Sequence, residues 1–260
     1  MKINLPQSYF SKLMRAVVEF DLIENGDHIL IGISGGKDSI FLAYALAILR
    51  QRLKKSFQLS ALTINPMFSE AFDISPIAAF CEGLGIPHAV HEVDIAETIR
   101  KQDGKNACFT CSYFRRGAIN RYAKEHGMEK IAYAHHLDDA VETFFMSLLY
   151  SGQITTFTPK TYLDRMELTV IRPLVYFREQ EIIDSIKYHG CPAVPSPCPL
   201  DGTTYRQTVK ELIATLGKDN PQLFSHLAAA MRKSSLGELW PASKTRDQMR
   251  ETYFKYMGKH

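Results

Sequence analysis

No uninterrupted apolar stretch of this chain approaches the roughly 18–20 residues that a membrane-spanning helix needs, so no transmembrane segment is expected. The first residues, MKINLPQSYFSKLM, are broken by polar side chains and contain no secretory apolar core. Five cysteines in 260 residues, two of them spaced C-x-x-C, do not make the even, closely spaced framework of a secreted disulfide protein. In a reducing compartment that spacing favours a metal or redox role, and a cytoplasmic location is expected. The net charge of +3 is too small to establish nucleic-acid binding by itself. Internal repeats and low-complexity segments are absent. The length suits one large domain, or one domain with helical additions, and 45% apolar residues are ample for a packed core.

Two common nucleotide-binding signatures are missing as well. A Walker A loop needs glycine five positions before Gly36, where Ile31 stands, and Ser or Thr after Lys37, where Asp38 stands. G-x-G-x-x-G does not occur at this loop either. What stands there is HILIGISGGKDS (28–39): an apolar, β-branched run, then Ser34-Gly35-Gly36-Lys37-Asp38-Ser39, then the helix-forming IFLAYALAILRQRL. Paired glycines between a strand and a helix let backbone N–H groups approach an anion closely, with the helix dipole behind them. Lys37 adds charge, and Ser34 and Ser39 add hydroxyl donors. The expected ligand is a phosphorylated one.

The rest of the chain alternates in the same way. FQLSALTIN (57–65), PHAVHEVD (87–94), KIAYAH (130–135) and LTVIRPL (168–174) read as further strands. Helices are expected over 75–85, 112–127, 138–152 and 178–190, with a short one at AETIRKQ. This order predicts an α/β fold, a doubly wound parallel five-stranded sheet covered on both faces, with its ligand beyond the strand carboxyl ends. Around a catalytic domain at 21–203, residues 1–20 read as an N-terminal helix and 204–260 as a C-terminal helical extension.

Cys108 and Cys111 lie in NACFTCSYFRRG, on the turn leading into a helix, and Cys198 follows in the proline-rich CPAVPSPCPLDG. Two thiolates at C-x-x-C spacing can reach one metal, and a helix N-terminus favours the thiolate form. Three thiolates on a [4Fe–4S] cluster leave one iron without a protein ligand; zinc with a fourth ligand, for which Asp201 is a candidate, is the alternative. Cys81 falls on an apolar helix face, and Cys191 is either packed or a spare ligand. AHHLDDAVETF brings His135, His136, Asp138 and Asp139 to a strand end that should face the same crevice as the glycine loop. Either acidic residue alone is explained by helix capping, but Mg²⁺ on ATP phosphates needs one or two carboxylates, and Asp38 and Asp139 are the candidates. Arg115, Arg116, Arg121 and Lys124 follow the cysteine pair on one helix. With Tyr113 and Phe114 beside them, Arg115 and Arg116 suit an RNA backbone and a stacked base, although a solvated basic face is the ordinary explanation.

SGGKDS resembles the PP-loop of ATP pyrophosphatases of the adenine-nucleotide α-hydrolase-like superfamily. Together with C-x-x-C-x-x-x-R-R-G, A-H-H-x-D-D-x-x-E-T, I-R-P-L and a distal P-C, in this order, the chain resembles the TtcA-type tRNA 2-thiocytidine synthetases over residues 10–205. That resemblance implies an ATP-dependent tRNA sulfurtransferase. Its PP-loop residues Ser34, Gly35, Gly36, Lys37, Asp38 and Ser39 bind ATP with Mg²⁺, and Cys108, Cys111 and Cys198 hold a [4Fe–4S] cluster. The implied partners are tRNA and a sulfur donor such as a cysteine desulfurase, with a homodimer compatible and no membrane involved. A familiar form of the distal motif has a second cysteine three residues on, where this chain has Asp201. Two other readings stay open at the level of sequence: a lysidine synthetase-like RNA-modifying ligase without a cluster, and a non-catalytic nucleotide-binding protein with structural zinc.

Overall fold

The computed structural model describes residues 3–69, 72–101, 106–199 and 205–233, with 245, 247, 248 and 251. Its chain runs α1 (Gln7–Glu19), β1 (His28–Gly32), α2 (Lys37–Arg52), β2 (Gln58–Asn65), α3 (Ser75–Gly83), β3 (His88–Glu92) and α4 (Ile95–Lys101). There follow α5 (Ala107–Glu125), β4 (Lys130–Ala132), α6 (Leu137–Ser151), β5 (Lys160–Leu163), β6 (Leu168–Ile171), α7 (Glu179–His189) and α8 (Tyr205–Gly217). All of these belong to one compact unit ending at Pro221. A second unit begins at Gln222 and contains α9 (Leu223–Lys233).

The strands form one sheet in the order β3-β2-β1-β4-β6-β5. Alternate residues of β1 divide the core between its faces. Ile29 and Ile31 pack in the larger apolar cluster with residues of α1, α2, α3 and α7, while Leu30 joins Leu62, Ile119, Ala123 and Ile131 in a smaller one built on α5. Helix α2 is buried from Ser39 to Leu49, which is why its sequence is apolar all round rather than striped.

The α/β architecture expected from the sequence is present, with one correction. The sheet has six strands rather than five, because β5 pairs antiparallel with β6 at the edge. KTYL is short and half-exposed, as edge strands are, and carries none of the apolar run that betrays the buried strands. A second correction concerns the cysteine pair. Helix α5 begins at Ala107 rather than near 112, so Cys108 and Cys111 lie within its opening turns.

Strand order reverses between β1 and β4, which pair in parallel with Ile31 opposite Ala132. The connections to β2 and β3 leave on one side of β1, and β4 and β6 lie on the other. Chain segments leaving the carboxyl ends of β1 and β4 diverge there and open a crevice. SGGKDS leaves β1 at this point, and AHHLDD leaves β4.

Candidate active site

The glycine loop is braced from within. Ser34 N–H donates to Ser39 Oγ at 3.1 Å, and Ser39 Oγ donates to the Gly36 carbonyl at 2.9 Å. Gly35 has φ +83°, in the left-handed region, and a Cβ there would stand 2.7 Å from Ile77 Cδ1 and 3.2 Å from Val194 Cβ. Gly36 differs. It caps α2 with ordinary extended backbone, and a Cβ would meet only Ser34 Oγ at 3.5 Å. Gly35 is thus required by packing, whereas Gly36 keeps clear the space over the helix N-terminus. That is where a phosphate would sit.

Lys37 and Asp38 follow at the crevice floor. Lys37 Nζ lies 3.1 Å from Asp38 Oδ2 and 3.0 Å from Glu179 Oε1. Burial works against its charge, but the two carboxylates outweigh burial and raise its pKa. Asp38 Oδ1 is buried without a hydrogen-bond partner. An orphaned carboxylate oxygen beside a phosphate loop is a donor suited to a divalent cation. His136 Nε2 is 3.6 Å from that oxygen and 3.4 Å from Asp139 Oδ2.

The two aspartates of AHHLDD divide their work. Asp139 closes a capping box: its Oδ2 accepts from His136 N–H at 3.0 Å, and Asp139 N–H donates to His136 Nδ1 at 3.4 Å. Its other oxygen lies 3.1 Å from Arg206 Nη1. Asp138 instead accepts three bonds from the Arg178 guanidinium, at 3.0–3.1 Å, and one from Glu179 N–H at 2.9 Å. It fastens the start of α7 to the start of α6. His135 points elsewhere; its Nδ1 accepts from Arg172 Nε at 3.2 Å, and burial above all pushes its pKa down to about 4. Arg172 also donates to Thr158 O and Thr161 Oγ1, so it ties the β5–β6 hairpin to the crevice wall rather than extending a basic face.

Cys108 is exposed, and Cys111 and Cys198 are half-buried. Burial raises the Cys111 pKa, Arg115 opposes it, and both Cys198 and Cys108 stand close enough to raise it further. Among the described residues, no three His, Cys, Asp or Glu side chains already stand in a closed metal-ligand arrangement. Cys111 lies within electrostatic reach of both Cys108, on the same helix, and Cys198, in the proline-rich loop after α7. That loop is fixed to the glycine loop directly, because Val194 N–H donates to the Gly35 carbonyl at 2.9 Å. Asp201 lies outside the described residues. Cys81 and Cys191 are buried in the larger core, and burial pushes both thiols up to about 11.

Arg116 is exposed on α5, with Phe109 and Tyr113 stacked at 6.3 Å nearby. Arg115 turns toward Cys111 instead.

Sequence reasoning missed the contribution of α8. Arg206 reaches both Asp139 and Glu142 at 3.1 Å, and Lys210 Nζ donates to Glu179 Oε2 at 2.5 Å. Burial raises the Glu142 pKa while Arg206 holds it down. The signal was YRQTVKELI, amphipathic with cations at 206 and 210, one turn apart.

A strand-end crevice with a braced glycine loop is the setting in which the likeness to known proteins can be placed. Residues 7–214 match the model of the PP-loop domain family. The tRNA-cytidine(32) 2-sulfurtransferase of Dichelobacter nodosus is 34% identical over 223 residues, covering 85% of this chain and 83% of the relative. The chain belongs to the PP-loop family. Within it, the enzyme of the same name from Geobacter sulfurreducens is 36% identical over 221 residues, 84% of this chain and 86% of that one. The U34-tRNA thiolase NcsA from Methanococcus maripaludis, solved with its [4Fe-4S] cluster, superposes with a TM-score of 0.74. It does so over 96% of this PP-loop chain and 87% of its own, at 22% identity, and so shares the fold. Among the described residues, no helix is long and apolar enough to cross a membrane.

Proposed function

We propose that this protein is an ATP-dependent tRNA sulfurtransferase that converts a cytidine to 2-thiocytidine. The observation that carries this reading is the Val194–Gly35 hydrogen bond, which joins the segment bearing Cys198 to the loop that receives ATP phosphates. Activation and sulfur delivery thereby share one crevice.

The chemistry follows from what each group can do. A pyrimidine 2-carbonyl oxygen is a poor leaving group. Attack by that oxygen on the α-phosphorus of ATP forms an O–P bond and breaks the bond to pyrophosphate, so the oxygen later departs with AMP. The loop N–H groups and Lys37 stabilise the charge that develops on the departing pyrophosphate, in a site where such donors are already oriented. Mg²⁺ fits the orphaned Asp38 Oδ1, and His136 and Asp139 hold that carboxylate's surroundings in place. Cys108, Cys111 and Cys198 would hold a [4Fe–4S] cluster, which when bound supplies sulfur at an iron without a protein ligand. Arg115 lowers the cost of the Cys111 thiolate needed for this. Arg116, with the stacked Phe109 and Tyr113, presents charge and aromatic surface to RNA. The reaction belongs in the cytoplasm with its tRNA, and a cysteine desulfurase would restore the sulfur.

Anaerobic purification followed by iron and sulfide analysis, then assay with tRNA, ATP and sulfide, tests this reading. It expects about four irons per chain, as a cubane cluster requires, with AMP, pyrophosphate and thiolated cytidine as products. Zinc in place of iron, or thiolation without ATP consumption, would overturn it.

A further inference from the structure

We propose that Lys210, on α8, is a positioning residue that keeps the Lys37 ammonium available to ATP by sharing the Glu179 carboxylate with it. This rests on the reading of 34–39 as the ATP phosphate loop. Glu179 presents one oxygen to each lysine, Oε1 to Lys37 at 3.0 Å and Oε2 to Lys210 at 2.5 Å. Its place is fixed by its own backbone, since Glu179 N–H donates to the Asp138 carboxylate that also grips Arg178. The carboxylate therefore cannot swing away with its helix. It competes with a phosphate for the Lys37 ammonium.

For Lys37 to turn to a phosphate, Glu179 must retain a cation. Lys210 is that cation. Without it, the side chain of Glu179 is only about one-fifth exposed and would gain its compensation from Lys37 alone, so release of Lys37 would leave a poorly solvated, unpaired carboxylate. Helix α8 is held for this task by Val209 and Ile213, both buried, and by the Arg206 bridge to Asp139 and Glu142. Both cations of α8 thus engage the acidic groups behind the phosphate loop. Lys210 need not touch the nucleotide.

The test is ATP affinity by calorimetry on the full chain in low salt. Lys210→Met should weaken ATP binding about three- to tenfold, the range of a partly buried charge-assisted contact, and Lys210→Arg should restore it. In a Glu179→Gln background the same Lys210→Met change should have almost no effect, because the carboxylate that Lys210 shares with Lys37 is gone and the Asp38 contact of Lys37 does not involve Lys210. A purely through-space contribution of the Lys210 charge would give equal losses in both backgrounds and overturn the proposal. So would unchanged ATP affinity with weakened tRNA binding, which would make Lys210 an RNA contact. Lys37→Met separates this inference from the reading beneath it. If that variant binds ATP normally, the phosphate-loop assignment fails; if it loses ATP while Lys210→Met does not, only the role of Lys210 fails.

Discussion

At the scale of single residues, the two glycines of the loop behave oppositely although they are neighbours of one type. Gly35 is needed by the fold: its positive φ and the contacts with Ile77 and Val194 leave no room for a side chain. Gly35→Ala should cost about 2–4 kcal/mol in urea unfolding, adding left-handed strain to an overpacked contact. Gly36→Val should unfold with a midpoint close to the parent's, since its backbone is ordinary and only Ser34 Oγ is near. It should nonetheless lose ATP affinity at least about tenfold, as expected when a phosphate is held away from amide donors. Undiminished ATP binding by a folded Gly36→Val protein would remove the phosphate from this loop. Glu179 makes a further residue-level prediction. Burial opposes its charge, but bonds from Lys210 and Lys37 overcome that and bring its pKa down to about 2. A carboxylate depressed on folding stabilises above its unfolded pKa of roughly 4.3, and that contribution disappears as pH falls toward the folded value. Between about pH 5 and pH 2, the parent should therefore lose more thermal stability than Glu179→Gln; equal losses would contradict the pairing.

At the scale of elements, α5 separates two arginines that the sequence presents as a pair. Arg115 lies beside the Cys111 thiol, whereas Arg116 is the more exposed of the two and donates through Nε to the Ser112 carbonyl at 3.1 Å. Arg116→Gln should weaken tRNA binding and reduce its salt slope by about one, the signature of one lost phosphate contact. Arg115→Gln should leave that slope less changed and instead raise the pH needed to alkylate Cys111, because the neighbouring cation is gone. Identical salt slopes for parent and Arg116→Gln would return this helix to an ordinary solvated face. The buried strands β1, β2, β4 and β6 and the helices between them were legible because apolar runs and helical periodicity survive in a sheet covered on both faces. Strand β5 was not, since an edge strand of polar and aromatic residues has no pattern that distinguishes it from a loop. The glycine loop and the H-H-D-D segment were legible as chemistry, but the division of labour between Asp138 and Asp139 was not. Only the packing of α7 against α6 shows that Asp138 holds Arg178. Helix α8 was legible as a helix and silent as part of the site, because what matters is which carboxylates its cations reach across more than 30 residues of chain.

At the scale of the whole molecule, the sheet brings together groups that approach from opposite faces. Helix α5, with Cys108 and Cys111, packs through Ile119 and Ala123 on the face of the smaller core. The segment with Cys198 follows α7, whose Ile182 and Ile186 belong to the larger core on the other face. The proline-rich segment is tied to the end of β1 through Val194 and Gly35, and Cys198 comes within electrostatic reach of Cys111. The proposed sulfur and nucleotide sites are therefore adjacent but rest on different elements, the latter on β1 and α2. Cys198→Ala should consequently abolish thiolation and lower the iron content of anaerobically purified protein, while ATP affinity stays within about twofold of the parent, the few tenths of a kcal/mol expected away from a binding site. The remaining pair, Cys108 and Cys111, supplies two thiolates, one fewer than a cubane cluster needs to be held with a single open iron. The Val194 anchor lies four residues before the substitution and is untouched by it, so the phosphate loop keeps its brace. Full thiolation by Cys198→Ala would show that the convergence over the crevice is a matter of packing. Loss of ATP binding along with the iron would show instead that the two halves of the crevice form one cooperative element.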